Sequence, residues 1–320
     1  MGKLIARKAL SLIPVLLAVS FLTFALTALL PGCVECQVVG LEGADAETLA
    51  AVREDLRLDD PIPQRYAAWL GDAFTGDLGE SFRSRQPVTD AIAERIPVTA
   101  ELVVLSMALS LAISIPLGVV TAYRAEGTLD RAVTGASFGL LATPTFIMAI
   151  VLISLFALDR NWFPATGWTR LTADPFGNLR SAFLPALALA TPNIAIFTRI
   201  LRSDMIATLQ EDHVLLARSK GLPTWRILFR HGLRPSSFSL LTVAGLTIGN
   251  LLGGAVVVEQ LFALPGLGRL LFDAVSQRDL LMVQGVVLVI TVGFVVLNGL
   301  VDILYSVLDP RIREQARAHA

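Results

Sequence analysis

A strongly charged segment, QEDHVLLARSKGLPTWRILFRHGLR at residues 210–234, lies between two long apolar runs. Residues 181–198 lie before it and residues 235–258 after it, and neither run contains a charged side chain. Each run is long enough, or nearly so, to cross a bilayer as a helix. A basic segment between two such runs is expected on the cytoplasmic side of the membrane. We call residues 210–234 the charged segment.

Composition indicates an integral membrane protein. Hydrophobic residues make up 54% of the chain and charged residues only 17%, too few to cover the surface of a soluble domain. Backbone groups in hydrocarbon must be hydrogen-bonded internally, and the uncharged runs have helical lengths rather than the lengths of barrel strands. The sequence therefore predicts an all-α integral membrane protein with six transmembrane helices, which cover residues 9–34, 102–123, 132–158, 181–198, 235–258 and 280–301.

Lysine and arginine residues set the predicted orientation. If the N-terminus is inside, the short inner loops contain more Lys and Arg than the short outer loops. Both termini are therefore expected in the cytoplasm. The first run follows Lys3, Arg7 and Lys8, as a secretory signal would. Its apolar length, and the lack of a small-x-small cleavage pattern after it, favour a retained first helix.

Three parts are predicted along the chain: residues 1–34 with the first transmembrane helix, an extracytoplasmic insertion at 35–101, and a five-helix core at 102–320 that includes a cytoplasmic loop at 203–234. The insertion is acidic and far longer than a turn. Helical spacing at residues 49–56 and 62–74 predicts two short amphipathic helices, separated by Pro61 and Pro63. This small, mostly helical outer domain is either a structural cap or a docking surface for an external partner.

Cys33 and Cys36 follow the first apolar run. In an oxidising compartment they either close a strained local disulfide or remain free thiols. Without a nearby histidine or a further cysteine they make an incomplete zinc site, and no metal site is predicted.

Charged residues are almost absent from the apolar runs and lie only at their edges. Glu101, at the outer edge of the second run, and Asp302, near the inner end of the sixth, suit boundary or interhelical positions better than the proton relay that an ion-driven carrier would need. Asn250 lies among small residues of the fifth run and is a candidate pathway-facing or interhelical polar group. Pro144 is predicted to divide the third run into a helix along the inner interface and a crossing helix, and with Asn250 and Glu101 it is a candidate pathway or interhelical residue.

The chain contains no recognisable energy source of its own. It lacks the GxxxxGK[ST] phosphate loop and the HExxH motif, and His213, His231 and His319 are scattered. No catalytic residue is therefore predicted, and the sequence disfavours an ATPase, a protease or a lipase. The simplest alternative is an external energy source that binds at the charged segment.

The first half of the charged segment has the pattern of a short helix. Glu211 and Asp212 at its start complement the helix dipole and can cap free amides. Val214, Ala217 and Gly221 fall on one face at helical spacing, and the small side chain of Ala217 permits a close approach.

The second half has the pattern of a sharp corner followed by a returning helix. Gly221 can adopt the left-handed conformation that ends a helix. Pro223 suits the first turn of a second helix at residues 224–233, and Pro235 is expected to begin the next span.

LLARSKGL followed by FRHGLR resembles the cytoplasmic signature of the dipeptide, oligopeptide and nickel permease family, the membrane subunits of ATP-binding cassette (ABC) importers. The resemblance continues in EQLFALPGLGRLLFDAVSQRDLLMVQG (residues 259–285), in DILYSVLDPRIR (302–313), and in LDDPIPQRYAAWL and GDLGESF of the first outer stretch. It thus spans nearly the whole chain. The chain departs from the family's common pattern at Cys33, Pro235 and Ser239, where an acidic residue, asparagine and proline are frequent.

The resemblance implies that residues 214–220 form a coupling helix that seats in a groove of an ATPase subunit, with Ala217 as the small packing residue and Gly221 as the turn. The ATPase-coupling residues that it implies are Glu211, Asp212, Val214, Leu215, Ala217, Arg218, Lys220 and Gly221. The implied partners are a homologous second permease, two ATPase subunits that bind ATP and Mg, an extracytoplasmic solute-binding protein and membrane lipid, without nucleic acid. No cofactor is expected on this chain, and the implied location is the bacterial cytoplasmic membrane.

The function implied by the resemblance is import of dipeptides or oligopeptides by alternating access. Nickel chelates, glutathione and oligosaccharides are alternative cargoes within the same family. An ion-coupled secondary transporter and a non-transporting membrane scaffold are alternatives of a different class.

Overall fold

The computed structural model describes residues 2–28, 53, 57, 59–81 and 83–308, and gives only the helical backbone at 2–12, 27–28 and 302–308. Cys33, Cys36, the side chain of Asp302 and most of the predicted helix at 49–56 lie outside the described part. Within it the chain is helical, with no β-strand. The helices are α1 (Gly2–Ala28), α2 (Ile62–Thr75), α3 (Val88–Ala93), α4 (Ile96–Tyr123), α5 (Thr128–Ala142), α6 (Thr145–Leu158), α7 (Pro175–Thr208), α8 (Asp212–Ser219), α9 (Thr224–Leu261), α10 (Leu267–Ser276) and α11 (Leu280–Leu308).

The described helices include four that are long and apolar enough to cross a membrane: Val88–Tyr123, α7, α9 and Leu280–Val301. A fifth candidate is the pair α5 and α6, which meet at 106° and form either a broken span or a re-entrant loop. A shorter apolar stretch, Ile13–Leu26, lies within α1. The described part of the chain therefore supports an all-α membrane protein with four or five candidate spans, where the sequence predicted six.

The predicted break in the third apolar run is confirmed. α5 ends at Ala142, Thr143 is extended with φ −89° and ψ 117°, and Pro144 immediately precedes α6. A proline ring clashes with a helical conformation of the residue before it, so Thr143 leaves the helix and the chain turns. Pro144 thus directs the bend.

The predicted boundary at Pro235 is wrong. α9 runs without interruption from Thr224, passes through a π-helical stretch at Ile227–Leu233, and continues past Pro235 as an α-helix. A proline inside a helix removes one hydrogen bond and crowds the preceding turn, and the wider π turn just before it gives the ring room. The second helix begins at Thr224, as predicted. Pro223, however, precedes the helix rather than lying in its first turn.

One compact unit comprises Met1–Pro97 and Gly266–Gly299. In it, α2 confirms the predicted helix at residues 62–74, and Tyr66 packs edge-on against Phe21 and Phe24 of α1. α3 was not predicted from the sequence. It forms because Val88 and Ile92 are buried in an apolar cluster with residues of α10 and the start of α11.

The other unit comprises Val98–Pro265 and Leu300–Ala320. It contains two apolar clusters. The first joins α4, α6, α7 and α9 around buried residues such as Leu102, Leu184 and Val258. The second, which we call the loop-end cluster, is formed by Val119, Ala122, Phe197, Leu201, Met205, Leu209, Val214, Ala217, Ile227, Leu240 and Ala244.

Candidate coupling site

α8 has one buried face and one exposed face. Val214 and Ala217 are buried in the loop-end cluster, so they contact the chain's own helices. Leu215 and Leu216 are 52% and 56% exposed, and Arg218 is exposed as well. The short helix is therefore anchored by one face and presents two leucines and a cation on the other.

The start of α8 differs from the expected cap. Glu211 precedes the helix, but its side chain makes no capping hydrogen bond to the first amides. Its Oε2 lies 3.1 Å from Nδ1 of His213, whose Nε2 lies 3.3 Å from the carbonyl oxygen of His231 in α9. Asp212 lies in the first turn, where its charge complements the helix dipole. The polar groups at this end thus tie α8 to the returning helix.

The end of α8 is the turn that the sequence predicted. Gly221 has φ +70°, in the left-handed region that glycine adopts without a steric penalty. Its N–H donates to the carbonyl of Arg218 at 2.9 Å, and the N–H of Leu222 donates to the carbonyl of Ala217 at 3.3 Å. The chain reverses here and leaves Lys220 exposed at the corner.

The π-helical stretch of α9 packs closely against the end of α7. A Cβ atom at Gly232 would lie 3.0 Å from Cε of Met205 and 3.3 Å from Cδ2 of Leu209, so a larger residue would force these side chains to move. On the other side, Trp225 and Phe229 are more than half exposed. The first turns of α9 therefore also expose large apolar side chains.

A cavity of about 720 Å³ lies between α8 and the ends of α4 and α7. Tyr123, Gln210, Arg218, Leu222 and Thr224 are among the residues that line it. Arg218 and Ala125, in the turn after α4, thus line the same cavity. The described residues contain no group of three or more His, Cys, Asp or Glu side chains that could hold a metal ion.

The three candidate pathway residues lie on different helices. Glu101 is half-buried near the start of α4, Asn250 is exposed on α9, and Pro144 is exposed just before α6. Within the part of the chain that the structure describes, no hydrogen bond or ion pair joins any two of them. Their role in the pathway stays a prediction.

Buried ionisable residues elsewhere were missed by the sequence analysis. Glu259, near the end of α9, is fully buried, and Oγ1 of Thr99 donates a 2.6 Å hydrogen bond to its Oε1. Asp130 in the first turn of α5 is buried against Arg202 of α7. In the sequence each acidic residue borders an uncharged run, as an ordinary solvent-exposed flanking residue does, so no local signal distinguishes it.

Two family matches cover almost the whole chain. Residues 114–314 match the family described as binding-protein-dependent transport system inner membrane component, and residues 1–103 match its N-terminal counterpart. The chain therefore belongs to the family of binding-protein-dependent transport system inner membrane components. It is a permease subunit of an ABC transporter and is not itself catalytic.

The relatives in this family carry names of peptide transporters. A Brucella abortus (strain 2308) protein named as a peptide transport system permease is 42% identical, over 98% of this chain and 99% of its own length. The oligopeptide transport system permease protein AppB of Bacillus subtilis (strain 168) is 38% identical, over 98% and 99%. The glutathione transport system permease protein GsiC of Pectobacterium atrosepticum is 38% identical, over 96% and 97%. The similarity extends from end to end.

Proposed function

We propose that this chain is the permease subunit of an ATP-driven importer that moves dipeptides or oligopeptides across the bacterial cytoplasmic membrane by alternating access. The observation that carries the proposal is the two-faced α8. Val214 and Ala217 fix it to the permease, while Leu215, Leu216 and Arg218 are available to a partner. The names of the relatives support peptides as the cargo.

The proposed topology has six spans and cytoplasmic termini. The six are α1, α4, the broken pair α5 and α6, α7, α9 and α11. α8 then faces the cytoplasm, as the excess of Lys and Arg in the short inner loops requires. The division into residues 1–34, an outer insertion at 35–101 and a core at 102–320 belongs to the same proposal.

The proposed complex has five or more chains. A second permease completes the pathway, and two ATPase subunits bind ATP and Mg and seat α8 of each permease. An extracytoplasmic binding protein delivers the solute. In this scheme the exposed leucines of α8 supply apolar contact, and Arg218 and Lys220 supply charge at the rim, the usual arrangement of a protein interface.

Reconstitution of the complete complex in liposomes tests the proposal. We expect peptide uptake that requires ATP inside the liposomes and the binding protein outside, together with ATP hydrolysis that the loaded binding protein stimulates. Uptake driven by a proton or sodium gradient without ATP would show a secondary transporter instead. Purification without ATPase subunits and without any uptake would show a scaffold.

Glutathione is a second candidate cargo, because GsiC is as similar to this chain as AppB is. It is itself a tripeptide, so the same pathway could carry it. Mass spectrometry of the ligand that copurifies with the binding protein distinguishes a mixed peptide population from glutathione, a nickel chelate or an oligosaccharide.

A further inference from the structure

Asp130 and Arg202 form a two-pronged ion pair between α5 and α7, in which the aspartate is buried and the arginine is half-buried. Nε of Arg202 donates to Oδ1 of Asp130, and Nη2 donates to Oδ2 at 2.7 Å. The N–H of Glu126 donates to the same Oδ2 at 2.8 Å, which also fixes the turn before α5. The carboxyl group is only 3% exposed. Paired hydrogen bonds from a guanidinium fix both the distance and the direction between two groups.

This pair is the main buried side-chain attachment of α5. The described buried residues of that helix are Asp130 and Ser137, and the Ser137 hydroxyl donates to Val133 in the same helix. The large apolar side chains Leu129 and Phe138 are exposed, and no residue of α5 belongs to either apolar cluster of its unit. A further contact, Arg199 over the Phe138 ring at 4.6 Å, lies at the surface.

The two residues of the ion pair lie in differently packed regions of the unit. Arg202 follows Leu201 on α7, and Leu201 is fully buried in the loop-end cluster that also holds Val214 and Ala217 of α8. Asp130 lies on the helix that leads through the 106° bend into α6. α6 in turn packs into the first cluster through Ala149 and Leu152. The ion pair therefore links the part that holds α8 to the broken span.

We propose that Asp130 and Arg202 are positioning residues that transmit the movement of α8 to the broken span α5–α6. The proposal rests on the proposed importer function. A displacement of α8 moves α7 with it through the loop-end cluster, and the paired hydrogen bonds carry α5 along because a buried ion pair is costly to separate. Without the pair, α5 contacts this end of α7 mainly through exposed and half-buried residues, such as Phe138 against Arg199, and follows its movement less closely.

The test uses the complete complex in liposomes and measures peptide uptake per ATP hydrolysed. Asp130→Asn keeps an oxygen that accepts from the N–H of Glu126 but removes the charge, and Arg202→Lys keeps the charge but loses the two-pronged geometry. In both variants we expect hydrolysis to persist and uptake per ATP to fall by about fivefold or more. The double variant Asp130→Asn/Arg202→Gln should lose no more than Asp130→Asn or Arg202→Gln alone, because both changes remove the same link.

The matched control is Arg199→Gln, three residues from Arg202 on α7 and exposed, for which we expect uptake per ATP to remain at the wild-type value. A merely structural pair would lower the amount of assembled complex and leave uptake per ATP unchanged in what assembles. That outcome, or losses that multiply in the double variant, would overturn the proposal. If the complex with Asp130→Asn alone does not assemble, uptake per ATP is measured in the double variant instead. That variant leaves neither charge of the pair without its partner. Wild-type complex without ATP-dependent uptake would instead contradict the importer function.

Discussion

Val214 and Leu215 are consecutive residues of α8 with opposite surroundings. Val214 is fully buried among side chains of α4, α7 and α9, whereas Leu215 is half exposed. Neighbouring positions on a helix point in directions about 100° apart, so one residue can belong to the permease and the next to a partner. Substitutions in this helix can therefore have two separate effects. A change at Val214 affects the stability of the permease, and a change at Leu215 affects the binding of a partner.

Replacing both Leu215 and Leu216 with serine is expected to weaken the binding of the ATPase subunits without unfolding the permease. Both side chains are exposed in this chain, so their loss leaves its core intact. Apolar residues at the centre of an interface dominate its affinity, and we expect the dissociation constant to rise by about tenfold or more. Binding of purified ATPase subunits to immobilised permease measures this constant. An unchanged constant would contradict the assignment of this face.

Val214→Ala is the matched substitution on the buried face. It removes two methyl groups from the loop-end cluster and should lower the free energy of unfolding by about 1–2 kcal/mol. A lower Tm of the purified permease, with unchanged affinity of the folded fraction for ATPase subunits, is the expected result. Weakened affinity at an unchanged Tm would place Val214 at the interface instead.

Gly221→Val is expected to uncouple ATP hydrolysis from uptake. A Cβ atom there would meet nothing within 4 Å, so the penalty comes from the backbone, whose φ of +70° costs a non-glycine residue about 1–2 kcal/mol. Relief of that strain would reorient α8 relative to α9. The measurement is uptake per ATP, and Gly76→Val just after α2 is the control, because Gly76 has φ +89° and equally open surroundings. Full uptake by the Gly221 variant would count against the coupling turn.

Local patterns were enough to predict several elements. The break before Pro144, the left-handed turn at Gly221 and the helix α2 each depend on residues that are close together in the sequence. Proline and glycine restrict or permit particular backbone angles wherever they occur, so their effects can be predicted without knowledge of tertiary contacts. Pro235 is the exception, because the preceding π-helical stretch removes the expected break.

The buried polar contacts could not be predicted in the same way. Glu259 receives its hydrogen bond from a residue 160 positions away in the chain, and Asp130 is paired with a residue 72 positions away. Which acidic residue at the edge of an apolar run becomes buried depends on the packing of other helices. Similarly, helical spacing placed Val214 and Ala217 on one face, but only the packing shows that this face belongs to the permease's own core.

Gly285→Ala is expected to destabilise the packing of α3 on α11. A Cβ atom at Gly285 would lie 2.5 Å from Cγ1 of Val88, closer than two carbon atoms can approach, so the helices must shift. Overpacking of this kind costs about 1–3 kcal/mol, and thermal unfolding of the purified protein measures it. Gly293→Ala on the same helix is the control, because nothing lies within 4 Å of that position. Adding Val88→Ala should restore much of the lost stability; an unrepaired double variant would contradict the contact.

Thr99→Val is expected to destabilise the junction between α4 and α9. The valine has a similar shape but cannot donate to Oε1 of Glu259, a fully buried carboxyl group. Loss of a hydrogen bond to such a group costs about 1–3 kcal/mol, which should lower the Tm in thermal unfolding. Thr99→Ser keeps the donor and should retain most of the stability. Thr121→Val, on the same helix, is the control. It removes only hydrogen bonds to the carbonyls of Leu117 and Gly118 in its own helix. These carbonyls keep their backbone N–H partners, so the effect should be smaller. Equal losses at Thr99 and Thr121 would show that the bond to Glu259 adds nothing beyond a local hydroxyl contact.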